Sequence, residues 1–82
     1  MKVYQVVAIK GCDEFLSYCG TEYSRALEFK KQEMNSYEKL TEFDKKQTEI
    51  ECRVYSIDDD VDINDIDELT NALIECTGYD LF

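Results

Sequence analysis

A chain of 82 residues with 44% hydrophobic side chains, six Tyr and four Phe is large enough for one modest core over residues 1–82 and too small for two. The net charge of −10 argues against a basic nucleic-acid binder and the absence of His against histidine chemistry, while the absence of Pro fits a compact chain of regular elements. No stretch approaches the roughly 20 apolar residues of a membrane span. The opening "MKVYQVVAIKGC" is interrupted by Gln5 and lacks a small-residue cleavage site, which predicts a soluble protein that stays where it is made.

The first element, "KVYQVVAIK" (Lys2–Lys10), is β-branched and apolar on both alternating faces. Val3, Val7 and Ile9 point one way, and Tyr4, Val6 and Ala8 the other, which predicts a central strand. "GCDE" supplies a turn and "FLSYCG" (Phe15–Gly20) a second strand, with Thr21 the expected N-cap of the helix that follows. In "EYSRALEFKKQEMNSYEKLTEFDKKQ", Tyr23, Leu27, Met34 and Tyr37 recur near helical spacing and are expected to face the sheet. Phe29, Leu40 and Phe43 fall partly off that stripe, so a kink or break is expected near Asn35-Ser36.

"TEIECRVYSI" (Thr48–Ile57) alternates cleanly, with Ile50, Cys52 and Val54 inward and Glu49, Glu51 and Arg53 toward solvent. Ile66, Leu69, Leu73 and Cys76 then return to helical spacing, with Asn64 the expected N-cap and Gly78 the expected C′ residue. The class is α+β, in the order β-β-α-β-α. A right-handed crossover places the third strand beyond the first, giving a three-stranded antiparallel sheet of order 2-1-3 packed with helices.

The charge is distributed unevenly. Residues 1–57 carry ten acids against nine bases, whereas residues 58–82 carry nine acids and no Lys or Arg. Within the latter, "DDDVDINDIDE" places seven carboxylates: Asp58, Asp59, Asp60, Asp62, Asp65, Asp67 and Glu68. Such a segment repels phosphate and anionic lipid and complements a basic protein surface. The simpler alternative is a solvated face that aids solubility.

Calcium fits poorly. An EF-hand loop needs Gly at position 6 and a bidentate Glu at position 12. Counting from Asp58 those positions hold Ile63 and Leu69, and counting from Asp60 they hold Asp65 and Asn71. Helix capping accounts for Asp65, Asp67 and Glu68 and leaves Asp58, Asp59, Asp60 and Asp62 unexplained.

Cys12, Cys19, Cys52 and Cys76 form no C-x-x-C knuckle. Buried thiols are the preferred expectation, and zinc held by the four cysteines is the lesser one. An extended second strand puts Cys12 and Cys19 up to about 23 Å apart, beyond any shared ion. No glycine-rich phosphate loop is present, nor any Ser or Cys beside an evident base, so no enzyme is expected and no other cofactor is implied.

A short acidic α+β chain with one anionic end resembles the small phage-encoded anti-CRISPR proteins, in particular the inhibitors of Cas9. The resemblance covers the whole chain in length, charge and the stretch "DDDVDINDIDE", without a shared motif. It implies stoichiometric inhibition in the cytoplasm of a bacterial host, by mimicking DNA on a basic surface of the nuclease or by holding the enzyme inactive. Nucleases of this kind hold nucleic acid in positively charged channels, which carboxylates can engage. The seven acids are the expected partner-binding residues, with the aromatic end "GYDLF" an exposed anchor beside them. Two rival readings stay open: an interaction module that dimerises along the third strand's edge, and a zinc-stabilised binding domain.

Overall fold

A computed structural model describes residues 1–76 and 78–82. The elements are β1 (Lys2–Lys10), β2 (Asp13–Gly20), α1 (Tyr23–Glu38), α2 (Glu42–Gln47), β3 (Thr48–Ser56), α3 (Ile66–Glu75) and β4 (Asp80–Leu81). The class is α+β, and the sheet is antiparallel throughout with four strands in the order β2-β1-β3-β4. β1 lies between β2 and β3 as its two apolar faces require. The expected three-stranded sheet is extended by β4, a short strand from the aromatic terminus that pairs Leu81 with Arg53 and Asp80 with Val54. Two pairs without an alternating pattern leave almost no local signal, which is why the sequence reads this strand as a free end.

The hairpin closes with Lys10 opposite Asp13, and Gly11 takes a φ of 61° at the first central position of the turn. That left-handed conformation is open to glycine at little cost, and it matches the twist of the flanking strands. A bulge lies where Val6 and Val7 oppose Tyr18 and Leu16. The extra residue, Ser17, donates its hydroxyl to Glu33 of α1 at 2.9 Å.

Val6, Ala26 and Cys52 are buried together, with Tyr4, Tyr18, Phe29, Ile50 and Phe82 packed around them. Val3, Val6 and Val7 are the largest wholly buried side chains, each worth about 2 kcal/mol of transfer free energy. α1 seats on the sheet through Ala26 and Phe29, flanked by part of the expected stripe: the Tyr23 ring meets Tyr4 at 5.2 Å and Met34 and Tyr37 lie beside Ile50, whereas Leu27 is 40% exposed. The small Ala26 is wholly buried at the centre of that contact, where a larger side chain would not fit. Its N-cap is Glu22, one residue after the expected Thr21, with no side-chain cap. The Tyr18 hydroxyl serves that end instead, accepting from Glu22 N at 3.3 Å.

The break in the helical segment falls after Glu38, past Asn35-Ser36, and Thr41 restarts it by accepting from Asp44 N at 3.2 Å. α3 buries none of its residues, and Ile66 and Ile74 are 77% and 75% exposed. The chain accordingly has a radius of gyration of 13.7 Å and a long axis of 44 Å. A compact chain of this length has a radius of about 12 Å. No helix among the described residues is long and apolar enough to cross a membrane.

Candidate functional site

The acidic segment begins where β3 ends. Ile57 N donates to Met1 O at 2.9 Å, and the Met1 ammonium donates to Ile57 O at 2.7 Å, which fixes the entry to the loop. Two backbone turns follow, Val61 N to Asp58 O at 3.2 Å and Asp65 N to Asp62 O at 3.1 Å.

The seven predicted acids are all exposed, but they divide by task. Asp59 pairs with the Met1 ammonium at 2.5 Å; that hydrogen bond first, and then the ammonium charge, hold its carboxyl below the ordinary range. Asp62 accepts from Asn64 N at 2.9 Å and so shapes the loop. Asp65, not the expected Asn64, is the N-cap of α3, accepting from Asp67 N at 3.1 Å and Glu68 N at 3.3 Å. Asp58, Asp60, Asp67 and Glu68 have no cationic partner among the described residues. With the outer oxygen of Asp62, they form the outward-facing set.

Beside this set lies an open recess of about 660 Å³ between the end of β3, α3 and the C-terminal segment. Val54, Ile57, Val61 and Ala72 supply apolar lining, and Asp58, Glu75 and Asp80 contribute carboxylates to it. The sequence reading singled out neither Glu75 nor Asp80. Their signal was the absence of any base after residue 57, which marks the whole segment without saying which acids converge.

A second polar arrangement occupies the sheet face opposite α1. Arg53 was expected in solvent, yet its side chain is 15% exposed. Its Nε donates to Glu51 at 2.6 Å and its Nη1 pairs with Glu14 of β2 at 2.8 Å. Reaching β2 from β3 carries the Arg53 stem over β1, where Gln5 and Val7 face it. Tyr79 lies against the guanidinium, 5.0 Å from ring centroid to Cζ, and donates its phenol to Glu51 at 2.6 Å. The Tyr79 hydrogen bond, then that from Arg53, lower the pKa of Glu51. Burial works against the Arg53 charge, but the hydrogen bond and charge of Glu51, joined by Glu14, leave its pKa raised. The aromatic end is therefore strapped down, although Leu81 is 67% exposed.

The cysteines are scattered. Cys12 is exposed in the hairpin turn, Cys19 is half-buried at the far end of β2, Cys52 is buried under α1, and Cys76 follows α3. Burial pushes the Cys52 thiol up, and the Cys76 thiol lies 3.5 Å from Ser56 O. Among the described residues, no three Cys, Asp or Glu side chains are grouped to hold a metal ion.

Comparison with protein-family models, with curated proteins and with solved structures finds no match.

Proposed function

We propose that the chain is a stoichiometric protein inhibitor of a Cas9-like CRISPR nuclease, acting in the cytoplasm of a bacterial host without catalysis. It engages a basic, nucleic-acid-handling surface of the enzyme and touches neither nucleic acid nor membrane. The observation that carries this reading is the set of exposed carboxylates without cations of their own, Asp58, Asp60, Asp62, Asp67 and Glu68, beside the recess edged by Glu75 and Asp80. Such groups form charge-assisted hydrogen bonds to Lys and Arg. The apolar lining of Val54, Ile57 and Val61 accepts the aliphatic stem of one such side chain. Asp59 and Asp65 support the surface by fixing the loop and the helix start.

The test is target-DNA cleavage by Cas9 under increasing inhibitor. Cleavage should fall to a plateau at one inhibitor per enzyme, and the variant with Asp58, Asp60 and Asp62 all changed to Asn should inhibit more weakly. The association rate should drop steeply with added salt. Undiminished cleavage at saturating protein, across several Cas9 types, overturns the proposal. A general interaction module is the second reading, favoured by the exposure of Ile66 and Ile74 on α3. Capture of a basic partner unrelated to CRISPR, with cleavage unaffected, would select it.

A further inference from the structure

The outer edge of β3 already holds an extended segment, and the manner of holding defines what it recognises. Phe82 N donates to Cys52 O at 3.0 Å, continuing the pairing of Asp80 and Leu81 with Val54 and Arg53. On the α1 face, the Phe82 ring meets Tyr4 edge-on at 5.4 Å and Tyr23 at 5.7 Å. Lys30 Nζ donates to Phe82 O at 3.1 Å from a position over its ring. On the opposite face, Tyr79 stacks on Arg53, contacts Tyr55 at 5.3 Å and bonds Glu51 through its hydroxyl. One strand edge thus reads two aromatic residues three positions apart, on opposite faces, and the Glu51 carboxylate selects a phenol for the first.

The segment uses only part of the edge. β3 runs from Thr48 to Ser56, whereas β4 pairs with Arg53 and Val54 alone. The Cys52 carbonyl points away from β1, so in an antiparallel ladder the backbone groups of Ile50 point the same way. Among the described residues no strand meets Ile50 on that side. An open recess of about 260 Å³ lies there, lined by Met34 and Tyr37 of α1 with Thr48, Glu49 and Ile50. In the register set by Asp80 and Leu81, a residue two positions beyond the Phe82 site faces Ile50 and this recess.

We infer that the β3 edge is a docking site for an extended partner segment of pattern Tyr-x-x-Phe-x-apolar, for which the chain's own Tyr79–Phe82 is an internal competitor. A longer segment gains ladder bonds at Ile50 and an apolar contact on Met34 and Tyr37 that β4 does not make. Strand addition of this kind draws affinity from main-chain bonds and specificity from alternate side-chain pockets. The site adjoins the acidic recess, with which it shares Val54, Tyr79 and Asp80.

The probe is a labelled Gly-Tyr-Asp-Leu-Phe-Gly-Leu peptide titrated against the full chain and against Phe82→Ala and Tyr79→Ala, by fluorescence anisotropy. Each variant weakens the internal competitor, so the peptide should bind it about tenfold tighter than it binds wild type. Tyr79→Ala leaves Phe82 in the core and keeps the test valid if Phe82→Ala does not fold. Replacing the peptide Tyr by Phe should cost about tenfold, because the Glu51 carboxylate loses one of its two donors and keeps only Arg53. Exchange of the Ile50 amide should slow on binding. Equal affinity for wild type and Tyr79→Ala, or unchanged exchange at Ile50, overturns the inference. A wild-type dimer that both variants abolish would also overturn it, by assigning the edge to the tail of a second copy.

Discussion

The Tyr79 phenol donates to Glu51 Oε1 at 2.6 Å, tying the C-terminal segment to the middle of β3 across 28 positions of sequence. The same carboxylate receives Arg53 Nε at 2.6 Å, so one acid holds both a strand cation and a strap. The Tyr79 hydrogen bond, then that from Arg53, put the Glu51 pKa below its ordinary 4.5. The unfolded chain therefore binds more protons through that window, and the stability contributed is present above about pH 4.5 and lost as pH falls through the folded value. Glu51→Gln should lower stability by about 1–2 kcal/mol at neutral pH, and the difference from wild type should vanish in acid. Urea midpoints measured across pH for both proteins check this.

The same bond has an alkaline signature. Tyr79 is raised above its ordinary 10.0, by its hydrogen bond to Glu51 first. A raised pKa contributes stability below pH 10 that is lost as pH rises through the folded value. Tyr79→Phe should remove this step from the alkaline limb while leaving the β1 amides protected. An alkaline limb identical to wild type would show that the phenol is not engaged in solution.

Ala26 is wholly buried, while its neighbour Leu27 is 40% exposed. Ala26→Leu forces a larger side chain into the closest approach of α1 to the sheet and should cost about 1–3 kcal/mol. Leu27→Ser removes an apolar side chain from the sequence-predicted stripe and should stay within about 0.5 kcal/mol. Thermal melts of the two variants distinguish a helix seated on Ala26 from one seated on Leu27.

Those two residues mark where sequence reasoning runs out. The order β2-β1-β3 was legible because Val3, Val6 and Val7 give β1 two apolar faces, and only a central strand buries both. The seat of α1 was legible in part: Tyr23, Met34 and Tyr37 do border the sheet, but the small Ala26 at its centre carries less hydrophobic signal than the exposed Leu27. Thr41 and Asp44 carried a readable capping signal, which places the helix break better than Asn35-Ser36 does. Arg53 reads as solvated by alternation, and the groups that enclose it come from Glu14 and Tyr79, far away in sequence. The acids were legible as a set and illegible as individuals, since capping and ammonium pairing depend on backbone that composition does not specify.

Asp65 caps α3 through two backbone N–H groups, whereas the Asn64 side chain caps nothing in that turn. Asp65→Ala should destabilise the helix by about 1 kcal/mol, and Asn64→Ala by less than about 0.5 kcal/mol. Because α3 buries none of its residues, the loss should stay local. Amide exchange from Leu69 to Leu73 should accelerate in the Asp65 variant while the β1 amides remain unchanged. Equal acceleration in both variants would return the cap to Asn64.

The fold uses some of the acidic segment's carboxylates and merely carries others. Asp59 has the Met1 ammonium at 2.5 Å, whereas Asp58 and Asp60 have no cation among the described residues. Asp62 uses one oxygen to accept from Asn64 N, a role that the amide oxygen of Asn can keep. In the folded chain Asp58, Asp60 and Asp62 are held within one short loop of a molecule whose net charge is −10. Their repulsion is greatest at low salt, where the Debye length is about 30 Å at 0.01 M, and largely screened at 1 M, where it is about 3 Å. Wild-type stability should therefore rise with sodium chloride, and the variant with all three changed to Asn should start higher and rise less. Asp59→Asn should behave in the opposite way, losing stability at low salt because it gives up an ion pair. Urea unfolding at low and high salt reads all three proteins. A triple variant as salt-sensitive as wild type would show that the repulsion lies elsewhere, most directly between Glu75 and Asp80 at the recess.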